Sequence, residues 1–391
     1  MSLFNTTSEI TITCHKRVAP YLTQEVLDLG YKVSETFITG VRMQGTLNDC
    51  IRLNLNLRCA SQILFKLDDF IARNGDDVYE HLKHIAWEDY IARDTYFSVT
   101  SNVFNDSINN SMYANLRVKD AIVDRLREIY DQRPETGADL RGVVVHLFWK
   151  NNDASVFLDT SGDSLGRHGY RKIPGQAPML EALAAATILA SEWNRTSAFV
   201  NPMCGSGTLA IEAALLAKNA APGLFRNNYA FMHINGFDQK MYDRARTELD
   251  TQIKEPTGLK IIASDYSKAA IENAERNAIA AGVFDMITFQ VCDFAATEIP
   301  DENKGVVFIN PEYGERLGDY KELEETYARM GDFFKKQCKG YNGYIFTGNM
   351  DLAKKVGLKA KRRLEFYNSK IDCRLLEYDI YEGTKKVKEE A

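Results

Sequence analysis

Asn201-Pro202-Met203-Cys204-Gly205-Ser206-Gly207-Thr208 is the stretch on which the fold turns. It follows the apolar strand Ser197-Ala198-Phe199-Val200 and opens an apolar helix at Thr208. A glycine-rich turn between strand and helix lets backbone approach a ligand where a Cβ would collide. Gly205 and Gly207 are the positions that permit this. No Gly-Lys-Ser/Thr follows, so the turn is not a P-loop, and it lacks the full G-x-G-x-x-G dinucleotide spacing. Such a turn suits nucleotides generally.

Beyond this turn, short unbroken apolar strands alternate with helices. LKIIASD leads to a helix ended by Gly282; ITFQVCD and GVVFINP follow; then come a helix from Glu322 to about Lys339 and the strand GYIFTG. That alternation predicts a mostly parallel sheet covered on both faces, an α/β fold. The closing pair RRLEFY and CRLLEYDIY, joined by Asn368–Asp372, reads as an antiparallel edge hairpin.

Three further strand ends carry chemistry. Asp265 ends LKIIAS, where a carboxylate can accept from both hydroxyls of a ribose; the plainer reading is an N-cap for the next helix. Its distance from Gly205 exceeds the dinucleotide fingerprint, and an inserted segment of about Ala221–Pro256 accounts for the excess. Asp293-Phe294 ends ITFQVC and reads either as an adenine-amino acceptor beside a packing ring or as a turn aspartate. Asn310-Pro311-Glu312-Tyr313-Gly314-Glu315-Arg316 ends the fourth strand. There an Asn oxygen and a neighbouring carbonyl can accept both hydrogens of an exocyclic amine and localise its lone pair, while an aromatic ring stacks on the base. An Asn-Pro turn alone would be structural. Cys204, inside the glycine turn, reads as pocket lining rather than as a nucleophile.

The first half differs in character. ITITCHK and Thr36–Met43 alternate as strands around an amphipathic Val18–Leu29, and Thr95–Ser101 reads as another strand. VKDAIVDRLREIY places Ala121, Ile122, Leu126 and Ile129 on one helix face. GVVVHLFWK and ASVFLDTSG form a hairpin across Asn151–Asp153, and DTSGDSLG marks a boundary near Ser164–Leu165.

Charge points away from nucleic acid at first sight. The net charge is −6, with 17 Lys+Arg against 23 Asp+Glu in residues 1–165 and 31 of each in 166–391. RNA binding would therefore have to use local patches. Seven scattered cysteines without a C-x-x-C predict a reducing, cytoplasmic setting and neither a disulfide framework nor a thiolate zinc site. His81 and His84 have no third ligand nearby and read as surface histidines, so no metal is expected. No signal peptide or span long enough for a membrane is read from the sequence. It carries no reading of oligomeric state.

These signals in this order resemble a class I S-adenosylmethionine-dependent methyltransferase, and in detail the bacterial THUMP-containing RNA guanine-N2 methyltransferases of the RlmL type. NPMCGSGTLAIEAA resembles the family's cofactor motif and NPEYGERL its NPPYGERL. VKDAIVDRLRE, DTSGDSLGRHGYR and NSKIDCRLLEYDIY resemble its THUMP, junction and closing-hairpin segments.

The resemblance implies a ferredoxin-like unit over 1–60, a THUMP RNA-binding domain over 61–165, and a Rossmann-like catalytic domain with a seven-stranded sheet over 166–391. It implies S-adenosylmethionine as cofactor, held by Asn201, Pro202, Cys204, Gly205, Ser206, Gly207, Thr208, Asp265, Tyr266, Asp293, Phe294 and Asn310. Within that set Gly205 and Gly207 cradle the methionine end, Asp265 the ribose and Asp293 the adenine. Asn310, Pro311, Glu312 and Tyr313 form the implied catalytic set, and Lys119, Arg125, Arg167, Arg171 and Lys172 the implied RNA contacts. The implied substrate is a guanosine of 23S ribosomal RNA; a transfer RNA, or a non-catalytic assembly role, are the alternatives. Longer family members continue into a second methyltransferase domain, so a single modification is expected. Glu312 departs from the family's second proline, restoring an N–H and adding a carboxylate.

Overall fold

The structure is a computed structural model that describes residues 3–105, 108, 111–173, 179–313 and 320–382. The described residues gather into two compact units. One spans Met1–His15, Leu22–Gly166 and Ala221–Thr251; the other spans Lys16–Tyr21, Arg167–Ala220 and Gln252–Ala391.

In chain order the first unit opens with β1 (Ser8–Cys14), α1 (Ala19–Asp28, whose first residues belong to the other unit), β2 (Val33–Phe37), β3 (Gly40–Gly45) and α2 (Leu47–Asn56). It continues through β4 (Ala60–Ile71), α3 (Gly75–Lys83), β5 (Phe97–Phe104), α4 (Ser111–Tyr130), β6 (Thr136–Gly137), β7 (Val143–Lys150) and β8 (Asp153–Asp159). Among the described residues these strands make one eight-stranded sheet, ordered β2-β3-β1-β4-β8-β7-β5-β6. β5 runs parallel to β6 and β7, and the other neighbours are antiparallel.

The local chemistry explains these elements. β7 is a run of buried β-branched residues, Val143 to Val145, which suits a pleated surface covered on its faces. Asn151 turns the chain into β8 at φ 54°, a left-handed conformation that Asn tolerates. α2 is opened by a reciprocal box in which Thr46 and Asp49 each accept the other's backbone N–H.

Two readings of this half need correction. Thr36–Met43 is two strands, because the chain turns at Ile38-Thr39 and Gly40 sits so close to β1 that a Cβ there would meet the Ile12 carbonyl at 2.3 Å. In α4, Ala121, Ile122 and Leu126 are buried, but Ile129 in the last turn is 48% exposed.

The second unit holds α5 (Glu181–Ala190), β9 (Phe199–Pro202) and α6 (Thr208–Ala217). The chain then returns to the first unit over Ala221–Thr251, ending in α7 (Gln239–Thr251). The sequence reading places this segment within the third domain, as an insertion. In the structure the Phe231 N–H donates to the Thr160 carbonyl at 3.0 Å. Gly223 lies so close to Leu55 that a Cβ would meet its backbone at 2.5 Å.

The second unit resumes with β10 (Ile261–Asp265), α8 (Lys268–Ala280), β11 (Ile287–Val291), β12 (Val306–Ile309), α9 (Tyr320–Gln337), β13 (Asn342–Thr347), α10 (Met350–Lys355), β14 (Arg362–Asn368) and β15 (Ile371–Asp379). Its seven-stranded sheet is ordered β11-β10-β9-β12-β13-β15-β14 among the described residues. The first five strands are parallel and the closing hairpin is antiparallel. Val200, Ile262, Val307, Ile309 and Ile345 enter a core capped by Tyr327, Met330, Phe333 and Phe334 of α9. The strand order reverses between β9 and β12. Ligands of open α/β sheets bind outside the carboxyl ends of strands at such a reversal.

Candidate active site

The reversal brings the two strongest motifs together. Asn201, next to last in β9, is fully buried, and its Nδ2 donates to the Phe308 carbonyl of β12 at 2.8 Å. The glycine turn then passes through three left-handed residues: Met203 at φ 56°, Gly205 at 55° and Gly207 at 82°. For Met203 that conformation costs about 1–2 kcal/mol, and strain of this kind collects at ligand sites. Gly207 is required by space, since a Cβ would meet that of Ala274 at 2.8 Å. At Gly205 a Cβ would meet nothing within 4 Å among the described residues, so they leave open room on that side. Gly207 caps α6 without a side-chain hydrogen bond, which leaves the first N–H groups of that helix available to an anion.

Asp265 is tied to this turn. Its Oδ2 accepts from the Gly205 N–H at 3.0 Å and its Oδ1 from the Ser267 N–H at 2.9 Å, leaving 9% of the residue exposed. The N-cap of α8 is Ser267 rather than Asp265. Burial pushes the Cys204 thiol well up, with the Asp265 charge adding to it, so the thiolate a nucleophile needs is disfavoured. Tyr266 is 79% exposed beside the site.

Asp293 and Phe294, the expected adenine contacts, both have partners within the protein. Asp293 Oδ1 accepts from the Ala295 N–H at 2.9 Å and pairs with Arg329 at 2.6 Å, which holds its carboxyl below the usual range. Phe294 is 5% exposed, set edge-on to Phe333 and beneath the Arg329 guanidinium. Its ring belongs to the core. Arg329 gave no local signal, because it lies mid-helix and far along the chain.

At the end of β12 the Asn310 Oδ1 is buried and, among the described residues, accepts no hydrogen bond. An orphaned acceptor of this kind costs about 1–3 kcal/mol and invites a ligand donor. Pro311 is buried, Glu312 exposed and Tyr313 half-buried. Gly314 to Arg316 lie outside the described residues. The Glu312 carbonyl accepts from Tyr327 Oη at 3.2 Å, and the Tyr313 carbonyl from Asn349 Nδ2 at 3.3 Å.

The expected RNA contacts divide. Arg167 and Lys172 are exposed and Lys119 is half-buried. Arg125 is committed to Glu88 through both Nε and Nη2. Arg171 is turned inward, donating to Thr208 Oγ1 at 2.8 Å and lying 3.5 Å from Glu181. In the basic run from Lys354 to Arg363, Lys354 pairs with Asp351, Lys355 with Glu324, Lys361 with Glu377 and Asp379, and Arg362 with Glu377 and Glu192. That pattern suits a solvated, ion-paired face. Among the described residues no cluster fit for a metal ion is found, and no helix is long and apolar enough to cross a membrane.

Comparison with known proteins meets this geometry. The family described as "RMKL-like, methyltransferase domain" matches residues 168–377, the "RlmL ferredoxin-like domain" residues 9–64 and the "THUMP domain" residues 72–159. The ribosomal RNA large subunit methyltransferase K/L of Syntrophotalea carbinolica is 37% identical over 95% of this chain and 53% of its own length. The chain thus spans about half the length of the curated relatives it matches. The crystal structure of SMU.472 in complex with SAH aligns at TM-score 0.87 and 28% identity, covering 97% of this chain and 99% of that one. A Listeria monocytogenes protein named as a predicted N6-adenine-specific DNA methylase aligns at 0.85 and 31% identity, covering 95% and 96%.

Proposed function

The chain belongs to the RMKL-like methyltransferase-domain family, and on that premise we propose that it transfers a methyl group from S-adenosylmethionine to the exocyclic N2 amine of a guanosine in 23S ribosomal RNA. The observation that carries the reading is the buried Asn310 Oδ1 at the strand reversal, without a hydrogen-bond partner among the described residues. S-adenosylmethionine fits the residues opposite it: open room at Gly205, free N–H groups at the start of α6, and the oriented Asp265 carboxylate. When bound, it supplies an already activated methyl group.

The chain's own residues prepare the acceptor. A guanine N2 lone pair is delocalised into the base and is a poor nucleophile. Asn310 Oδ1 and the Pro311 carbonyl accept its two hydrogens and localise the lone pair on nitrogen. Tyr313 stacks on the base and holds it out of its helix. Gly205, Ser206 and Gly207 receive the methionine end and Asp265 the ribose hydroxyls, with Asn201, Pro202, Cys204 and Thr208 shaping the turn. Tyr266 offers an open ring for the adenine side, a role better suited to it than to the buried Phe294. The first unit presents RNA, and the reaction belongs in the cytoplasm with its substrate.

The test is methyl transfer from isotopically labelled S-adenosylmethionine to large-subunit RNA from cells lacking this chain, followed by nucleoside mass spectrometry. N2-methylguanosine is expected. N6-methyladenosine would refute the guanine assignment, label confined to transfer RNA would move the substrate, and no label with intact cofactor binding would favour an assembly role.

A further inference from the structure

We propose that Asn368, at the end of β14, is a positioning residue that fixes the Tyr313 ring for the incoming base. Asn368 Nδ2 donates to Tyr313 Oη at 2.9 Å, across 55 residues of sequence. The proposal rests on the reading that Tyr313 stacks on the target base.

The arm carrying this amide is stiff. β14 and β15 pair without a break from Arg362↔Glu377 to Asn368↔Ile371, and only Ser369 and Lys370 close the turn, Ser369 at φ 55°. The other end of the tyrosine is held independently. Asn349 donates to the Tyr313 carbonyl while its Oδ1 accepts from the Asp351 and Leu352 N–H groups at 3.1 and 3.0 Å, so its amide cannot turn away without uncapping α10. Tyr327 Oη, which donates to the neighbouring Glu312 carbonyl, lies 2.9 Å from Thr347 Oγ1. Gly348 packs close beside the ring: a Cβ there would touch the Tyr313 ring at 3.4 Å and collide with Ile371 at 2.5 Å.

A phenol so held is the opposite of what simple solvation of a surface tyrosine would produce. Stacking requires only the ring face. Fixing the hydroxyl removes rotation of the ring before the base arrives, so that less freedom is lost on binding. The hairpin therefore acts on the reaction through Tyr313 rather than through the RNA.

The experiment measures methyl transfer to large-subunit RNA from cells lacking the chain, together with S-adenosylmethionine affinity and thermal midpoint, for Asn368→Ala, Asn368→Asp, Tyr313→Phe, the Asn368→Ala/Tyr313→Phe pair and Tyr313→Ala. Asn368→Ala and Tyr313→Phe should each lower kcat/KM for RNA by about 3- to 10-fold, and the pair by no more than either alone. Cofactor affinity and midpoint should stay unchanged. Asn368→Asp should recover activity, since its carboxylate accepts from the phenol instead. Additive losses, or losses shared by cofactor binding and midpoint, would show a merely structural hairpin and overturn the proposal. Unaffected Asn368→Ala beside a severely impaired Tyr313→Ala would overturn it while sparing the stacking role. An unimpaired Tyr313→Ala would overturn both.

Discussion

The Gly205 N–H donates to Asp265 Oδ2 at 3.0 Å across 60 residues of sequence, so the glycine turn and the end of β10 are one structure. The carboxylate that should read the ribose is the group that sets the turn. Asp265→Ala should therefore weaken S-adenosylmethionine binding by about 2–4 kcal/mol, through two lost charge-assisted contacts and a loosened loop. Asp265→Asn should recover part of this, because an amide cannot accept from both the Gly205 and Ser267 N–H groups. Unchanged calorimetric affinity in Asp265→Ala would remove this residue from the site.

Arg171 should behave as part of the fold. Its guanidinium donates to Thr208 at the first turn of α6 and neighbours Glu181, whose burial raises its carboxyl while Arg171 lowers it. Removing the cation leaves that carboxylate buried and uncompensated, a loss of about 3–5 kcal/mol. Arg171→Ala should melt well below wild type with an unaltered salt slope of RNA binding. Exposed Arg167 and Lys172, replaced by Ala, should each reduce that slope by about one at an unchanged midpoint. An Arg171→Ala protein as stable as wild type but poor in RNA binding would reverse the assignment.

What was legible in the sequence was local. The strand ends carrying Asn201, Asp265 and Asn310 could be read because each motif is contiguous and sits where apolar runs stop, and the alternation of those runs implies the parallel order around them. What could not be read depends on distant partners. Arg329 claims Asp293 from the middle of α9, and Phe294 turns into the core because Phe333 waits there. Arg171, basic and near the junction, reads from the sequence as an RNA contact, and its partners Thr208 and Glu181 give no local signal there. Asn368 is legible in the sequence only as a turn residue, because its bond to Tyr313 spans α9, β13, α10 and most of β14.

The segment Ala221–Thr251 bears on any attempt to isolate the second unit. Tyr229, Phe231 and Tyr242 on it are buried, and its backbone is bonded to Thr160 and Ser161 of the first unit. A 166–391 fragment would expose these rings as an apolar patch. The ends of the segment are held close: the Lys254 N–H donates to the Lys218 carbonyl at 2.8 Å and Asn219 Nδ2 to the Gln252 carbonyl at 3.2 Å. A fragment with 221–251 replaced by a short Gly-Ser linker should remain monodisperse by light scattering and bind S-adenosylmethionine, whereas the unmodified fragment should aggregate. Equal behaviour of the two would mean that the rings do not need the first unit.

The substitution at Glu312 should leave the enzyme active. The groups proposed to polarise the amine, Asn310 Oδ1 and the Pro311 carbonyl, precede it in the chain, and Tyr313 keeps its hold on Asn368 and Asn349. The bond from Tyr327 uses the Glu312 carbonyl, which a proline also possesses. Restoring proline stiffens the unfolded chain and should add about 0.4–1 kcal/mol of stability. The exposed carboxylate can accept from a guanine N1–H, a donor that adenine lacks, so Glu312→Pro should retain methyl transfer while discriminating less well between the two bases. Asn310→Ala separates chemistry from stability. Because the Asn310 oxygen is buried without a donor, its removal relieves an unsatisfied acceptor costing about 1–3 kcal/mol. That variant should melt no lower than wild type, bind cofactor normally and transfer no methyl group. An active Asn310→Ala would end the amine-polarising role. Wild-type protein that binds cofactor yet never methylates ribosomal RNA, beside a Glu312→Pro variant that does, would show that the glutamate had silenced the site.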